Sequence, residues 1–184
     1  MRRELVERAM AGDHDAFSEL ARVSIGRLYA VARLILRDPH GAEDATQEAL
    51  VAAWRDLSAL RDPDRFDGWL HRLLLRACYR EASKGRRRWT VESEVREWDG
   101  MVPDPTADFA DRDQLERGFR RLAPEQRAVI VLHHYLGLTL DETADALGVP
   151  PGTARSRINR AMGALRAALD ADARSANSNE RRLA

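Results

Sequence analysis

The chain of 184 residues has one cysteine, one lysine and no apolar run approaching about 18 residues. A lone Cys78 excludes an internal disulfide and the usual cysteine-based zinc sites, and reads as a small buried residue. Without a long apolar run or a hydrophobic N-terminal segment, neither membrane insertion nor export is indicated, and a cytoplasmic location is expected. Alternating β-branched runs are few and Asn-Gly hairpin signals are missing, which excludes a sheet-based fold. Phosphate-binding glycine loops, GxSxG and HExxH are also missing. His133 and His134 are adjacent, so they point to different sides of a helix and make a poor metal pair. Asp62 and Asp64 flank Pro63 and read as turn residues. No catalytic residue, metal or cofactor is expected.

Net charge is another absence: 30 basic residues balance 30 acidic ones. The balance hides polarisation. Trp69–Arg88 carries seven Lys/Arg against Glu81 alone, and Trp89–Asp111 carries seven Asp/Glu against Arg96 alone. Local fields rather than the total steer association, so a neutral chain can still bind nucleic acid. Lys84 is the one lysine among the 30 basic residues. That choice fits a GC-rich coding bias and carries little chemical meaning.

What is present is helical periodicity. Hydrophobic content of 44% with 33% charged residues supports small cores and one or two domains. Helices are expected at about Arg3–Ala11, Ala16–Arg37, Glu43–Leu57 and Phe66–Lys84, with breaks at Asp38-Pro39-His40-Gly41 and Arg61-Asp62-Pro63-Asp64. The resulting fold class is all-α: a first small helical domain over 1–88, an acidic flexible linker over 89–111, and a second helical domain over 112–170. The linker expectation rests on Gly100, Pro103 and Pro105. Residues 171–184 read as a disordered tail.

The most informative segment is Thr139–Arg160. A short acidic helix ends at Gly148, which suits a left-handed exit, and Pro150-Pro151-Gly152 starts another helix. In that second helix, Ala154, Ile158, Ala161, Met162, Leu165 and Leu169 form one apolar stripe. Gly152, Arg155, Ser156, Asn159, Arg160 and Gly163 lie opposite, with Arg157 near the border. This is the pattern of a helix-turn-helix, whose second helix enters a major groove. Arg can grip guanine and Asn adenine, each pair giving about 1–3 kcal/mol of discrimination. The plainer alternative is a solvated basic face on a core helix.

Two N-terminal surfaces stand out. In the third helix, Leu50, Ala53, Trp54 and Leu57 form the apolar side, while Asp44, Glu48, Val51 and Arg55 line the other with Gln47 at its margin. That row is either ordinary surface or a docking strip whose charges set a partner's orientation. In the fourth helix Phe66, Trp69 and Tyr79 interleave with Arg72, Arg76, Arg80, Lys84, Arg86, Arg87 and Arg88. Basic groups hold phosphates and aromatics stack on unpaired bases, which suits single-stranded or melting DNA. Alternatively, Trp69 and Tyr79 are core residues beneath a solvated basic helix end.

Taken in order, these motifs resemble the bacterial extracytoplasmic-function (ECF) sigma factors over about residues 10–170. Asp44-Ala-Thr-Gln-Glu-Ala-Leu-Val-Ala-Ala-Trp54 is similar to that family's region 2.2, and Phe66-Asp-Gly-Trp-Leu-His-Arg72 to the start of regions 2.3 and 2.4. Leu122-Ala-Pro-Glu-Gln-Arg127 and Gly152–Arg160 are similar to regions 4.1 and 4.2. The resemblance implies a non-catalytic initiation factor that binds core RNA polymerase, directs it to promoters and assists DNA melting. By it, Asp44, Gln47, Glu48, Val51 and Arg55 would meet the β′ clamp helices, and the second domain would meet the β flap. The loop Leu60–Asp67 with Trp69, Arg72, Arg76, Arg80, Arg86 and Arg87 would engage the minus-ten element. Arg155, Ser156, Asn159 and Arg160 would read the minus-thirty-five element, and an anti-sigma factor would be a partner. The chain departs from the family pattern at Leu75, Arg76 and Arg80, where Arg-Asn and then Asp are frequent, so the fourth helix is expected to hold phosphate more than to read bases.

Rival readings are a stand-alone helix-turn-helix regulator, a nucleic-acid enzyme using Asp62 and Asp64, and an anti-sigma-type mimic. The docking row and the basic-aromatic helix oppose the first. The intact basic face opposes the last.

Overall fold

The computed structural model describes the backbone over residues 2–89 and 109–183, with side chains described over 2–84 and 115–171. All regular elements among the described residues are helical: α1 (Arg2–Met10), α2 (His14–Leu36), α3 (Pro39–Asp56), α4 (Phe66–Trp89), α5 (Phe109–Arg121), α6 (Pro124–Ile130), α7 (Leu140–Leu147) and α8 (Pro151–Leu183). Short 3-10 turns at Leu57–Ala59 and Pro63–Arg65 join α3 to α4, and one π turn, Val131–Tyr135, extends α6.

Local chemistry explains most of the boundaries. Asp13 caps α2, its Oδ1 accepting from the amides of Asp15 and Ala16 at 3.0 Å each. Those amides, Ala16 first, and the Arg8 guanidinium hold its carboxyl below the usual range. Between α2 and α3 the break is shorter than the sequence suggests: Asp38 caps α3 directly and Pro39 takes its first position. Along α3, Ala42, Ala45, Ala49 and Ala53 are all fully buried. This smooth stripe lets α2 and α4 approach closely. Trp54, expected on the apolar side, is 42% exposed at the rim, with ring centroids 4.7 Å from His14 and 4.9 Å from Phe17.

The C-terminal helices form the expected helix-turn-helix. Thr139 and Glu142 make a reciprocal cap: the Thr139 hydroxyl accepts from the Glu142 amide at 3.2 Å, and Glu142 Oε2 accepts from the Thr139 amide at 2.8 Å. Gly148 ends α7 at φ 66°, a conformation costing a residue with a Cβ about 1–2 kcal/mol. Close approach of α5 to α8 runs through Gly118, where an added Cβ would lie 2.8 Å from Leu169 Cδ2. The helical backbone of α8 continues to Leu183, past Asp170, where the sequence reading ends it.

The two halves do not sit apart. Ala128, Val131, Leu132 and Ala146 share a single buried cluster with Leu28, Ile35, Leu74 and Cys78 of α2 and α4. A second cluster, with Leu122, Val129, Ile130, Ile158, Ala161 and Leu165, closes the C-terminal unit.

Candidate nucleic-acid interface

In α8, Ala154, Ile158, Ala161 and Leu165 are buried and Met162 and Leu169 half-buried, as the apolar stripe requires. Gly152, Arg155, Ser156, Asn159, Arg160 and Gly163 are all exposed. Ser156 Oγ donates to the Thr153 carbonyl at 2.9 Å, and Arg160 Nε reaches the Ser156 carbonyl at 3.4 Å. The four candidate groups therefore stand on one solvent-facing side of a helix anchored by its other side. Arg157 is exposed too, near enough to Tyr79 of α4 to act on its phenol electrostatically.

At about 100° per residue, Trp69, Arg72, Arg76, Tyr79 and Arg80 of α4 fall within one arc about 100° wide. Leu70, Leu74 and Cys78 lie opposite and are buried. Burial pushes the Cys78 thiol up to about 12, as expected of an inert core residue. Leu75 is 2% exposed, so this departure from the family pattern is a packing position beside the arc. Arg76 and Arg80 are exposed, whereas Trp69 and Tyr79 are half-buried against the common core. Burial raises the Tyr79 phenol to about 12. Arg86 and Arg87 lie outside the described side chains.

The charged row of α3 is solvent-facing: Asp44, Gln47, Val51 and Arg55 are exposed, Val51 to 64%, and Glu48 is half-buried. Glu48 Oε1 pairs with Arg80 Nη2 at 2.7 Å, linking the α3 row to the α4 arc. Both partners are partly solvated, so the pair is worth about 0–1 kcal/mol.

The loop before α4 has a feature that spacing did not suggest. Arg2 pairs with Asp67 at 2.5 Å and Arg3 with Asp64 at 2.6 Å, so α1 covers one side of the loop. A cavity of about 110 Å³ lies between them, lined by Arg2, Arg3, Val6, Pro63, Asp64, Phe66 and Asp67. Asp62 is the turn residue the sequence suggests, its Oδ1 accepting from the Asp64 amide at 3.0 Å, and it also lies 3.7 Å from Arg65. Among the described residues no cluster of metal-ligating side chains occurs, and no helix is long and apolar enough to cross a membrane.

A further set of contacts joins the halves. Arg72 donates from Nε at 2.8 Å, and also from Nη2, to the Asp145 carbonyl in the last turn of α7. Arg65 pairs with the Asp145 carboxylate at 3.1 Å. Arg127, 7% exposed, donates at 2.6 Å to the Ile35 carbonyl at the end of α2. Burial, then repulsion from Arg37, lowers its guanidinium to about 10. Arg37 pairs with Glu116 of α5 at 3.1 Å, with side-chain exposures of 11% and 19%. None of these pairings has a local sequence signature.

Described residues that are all helical, with an exposed basic face on the second helix of a helix-turn-helix and a basic-aromatic second face, define a nucleic-acid-binding class of protein, and comparison with known proteins narrows it. Residues 20–88 match the model for Sigma-70 region 2, and residues 112–165 match that for Sigma-70, region 4. The chain is 34% identical over 162 residues to the ECF RNA polymerase sigma factor SigM of Mycobacterium tuberculosis, covering 88% of this chain and 81% of SigM. It is 35% identical over 168 residues to the RNA polymerase sigma-E factor of Streptomyces avermitilis, covering 90% and 93%. CnrH, solved in complex with the cytosolic domain of CnrY, superposes with a TM-score of 0.64 at 29% identity, covering 93% of this chain and 98% of CnrH. The chain belongs to the ECF RNA polymerase sigma factors. Its function is accordingly that of a promoter-directing transcription initiation factor, a class of non-enzymatic proteins.

Proposed function

We propose that residues 1–88 dock on the β′ clamp helices through Asp44, Gln47, Glu48, Val51 and Arg55 and engage the minus-ten element through the α4 arc. Trp69 supplies an aromatic face, and Arg72, Arg76, Arg80, Arg86 and Arg87 neutralise phosphates. Residues 112–170 meet the β flap and read the minus-thirty-five element through Arg155, Ser156, Asn159 and Arg160. Residues 89–111 act as the linker, and 171–184 are a tail outside both units. The protein works in the cytoplasm without catalytic activity, and an anti-sigma factor restrains it by covering these surfaces. The supporting observation is α8, whose apolar stripe is buried while its four hydrogen-bonding residues face solvent.

Each unit grips weakly alone; polymerase fixes their spacing and turns two modest contacts into one tight one. Opening a base costs a few kcal/mol, offset by contacts to the extruded nucleotide and by phosphate neutralisation. The test is run-off transcription with purified core polymerase on a genomic promoter pool. Wild type initiates from a subset of promoters. Arg155→Ala loses about 5- to 150-fold, the equivalent of one base contact, with core affinity unchanged, whereas Glu48→Ala weakens core binding itself. Absence of wild-type initiation and of core binding overturns the proposal. Palindromic DNA binding without polymerase would identify a stand-alone regulator instead.

A further inference from the structure

The loop before α4 is an awkward partner for DNA on its own residues. Over Leu60–Asp67 the carboxylates of Asp62, Asp64 and Asp67 outnumber Arg61 and Arg65. A segment with a negative surplus is repelled by phosphate. The fold reverses that balance from 65 and 61 positions away. Arg2 reaches Asp67 at 2.5 Å and Arg3 reaches Asp64 at 2.6 Å, both from the first turn of α1. Asp62 is used within the loop, where it accepts from the Asp64 amide.

Other contacts already fix α1 in place. Val6 and Ala9 are buried in the same cluster as Leu60 and Phe66, the apolar residues near the two ends of the loop. At the far end of α1, Arg8 donates to Asp13, the cap of α2, at 2.9 and 2.6 Å. The Arg2 and Arg3 pairs are therefore not what holds the helix down. Arg3 also donates from Nε to Glu7, one turn on, at 2.9 Å, which steadies its guanidinium while Nη1 faces Asp64.

Between helix and loop lies the cavity of about 110 Å³, with Val6, Pro63 and Phe66 as its apolar lining. Space at this edge gives the loop room to shift, because the lining lacks packing partners across it. The two ion pairs are the polar ties that span it. Their side chains are 50% to 60% exposed, and such a pair biases an equilibrium by roughly five-fold at most. Two independent pairs reach about 25-fold. That is too little to hold a helix in place. It is enough to choose the loop geometry offered to a base, where right and wrong partners differ by about 5- to 150-fold.

We propose that Arg2 and Arg3 are positioning residues for promoter selection: by neutralising Asp67 and Asp64 across the cavity, they fix the loop Leu60–Asp67 in the geometry that reads minus-ten DNA. This role rests on the assignment of that loop to the minus-ten element. Each arginine acts through a carboxylate of the loop rather than by touching DNA.

The experiment uses the full chain, tagged at the C-terminus so that α1 is undisturbed, with purified core polymerase. Its template is a promoter library randomised across the minus-ten element beside a fixed minus-thirty-five element. Selectivity is the ratio of transcripts from the best and the median sequences, a ratio in which general phosphate attraction cancels. Arg2→Gln with Arg3→Gln lowers it about 5- to 25-fold, while core affinity and minus-thirty-five duplex affinity stay within about two-fold of wild type. Asp64→Asn with Asp67→Asn cuts the same ties from the loop side and relaxes selectivity toward the same sequences. Arg2→Lys with Arg3→Lys keeps the charges and most of the selectivity. Amide exchange over residues 60–67, read by mass spectrometry, speeds up in both neutral variants and not in the lysine one. Unchanged selectivity in the arginine variant overturns the proposal. So does a different set of tolerated sequences in the aspartate variant, which would mean that Asp64 and Asp67 meet DNA themselves. Should the double arginine variant fail to fold, Arg2→Gln and Arg3→Gln singly carry the same readouts at about five-fold or less each. A wild type indifferent to minus-ten sequence sinks the minus-ten assignment and the selectivity role with it; faster exchange in the variants would then leave α1 a structural clasp on the loop.

Discussion

His71 shows how one side chain can set a pH limit on this fold. It is 5% exposed between α4 and its neighbours, and its Nδ1 finds no hydrogen-bond partner. Burial lowers its pKa from the ordinary 6.5, with Arg27 and Arg2 adding to the effect and Asp67 opposing it. The folded state thus resists a proton that the unfolded chain accepts. Stability from the neutral ring is fully present above 6.5 and is lost as pH falls from there through the lowered folded value. The slope in that window is at most about 1.4 kcal/mol per pH unit for one proton. Thermal melts between pH 7.5 and 5 should show wild type losing stability steadily, and His71→Leu losing less. Equal slopes would remove His71 as the cause. Spacing alone does not single this residue out, because a lone histidine inside a basic helix looks solvated until its neighbours are placed.

At the scale of elements, legibility followed locality. The recognition helix was readable because its apolar stripe, Ala154 to Leu169, is set by sequence spacing alone, and so was the Gly148 exit. The cap at Thr139 is equally local. Losing its hydroxyl removes one acceptor from the first turn of α7, and Thr139→Ala should cost about 1 kcal/mol. Urea denaturation of the full chain measures this, and restoration by Thr139→Ser would assign the loss to the hydroxyl. Trp54 was misplaced for the opposite reason. Periodicity gave it an apolar side, but beside the rings of His14 and Phe17 at the start of α2 it stays 42% exposed. Likewise the Glu48–Arg80 pair joins residues assigned to different partners. Spacing along either helix could not reveal it.

For the molecule as a whole, the sequence pattern yields two small helical units and nothing about their mutual packing. The missing information lies in long-range pairs such as Arg127 with Ile35, 92 positions apart. The partners of Arg127 and Arg72 are backbone carbonyls, which every residue carries. Arg127 is the most buried of these links. Its lowered pKa means that enclosure works against the charge, which the Ile35 carbonyl and the negative end of α2 offset. A hydrogen bond to a charged group is worth about 1.5–3 kcal/mol, and deleting the donor leaves a buried carbonyl unsatisfied. With a core shared by α2, α4, α6 and α7, the intact chain should unfold in one calorimetric transition, the two halves stabilising each other. Arg127→Ala should separate it into two, the C-terminal unit melting first because its own cluster is the smaller. Arg127→Lys keeps a charge but not the planar fork and should fall between them. A single unshifted transition in Arg127→Ala would show that apolar contact alone holds the halves together.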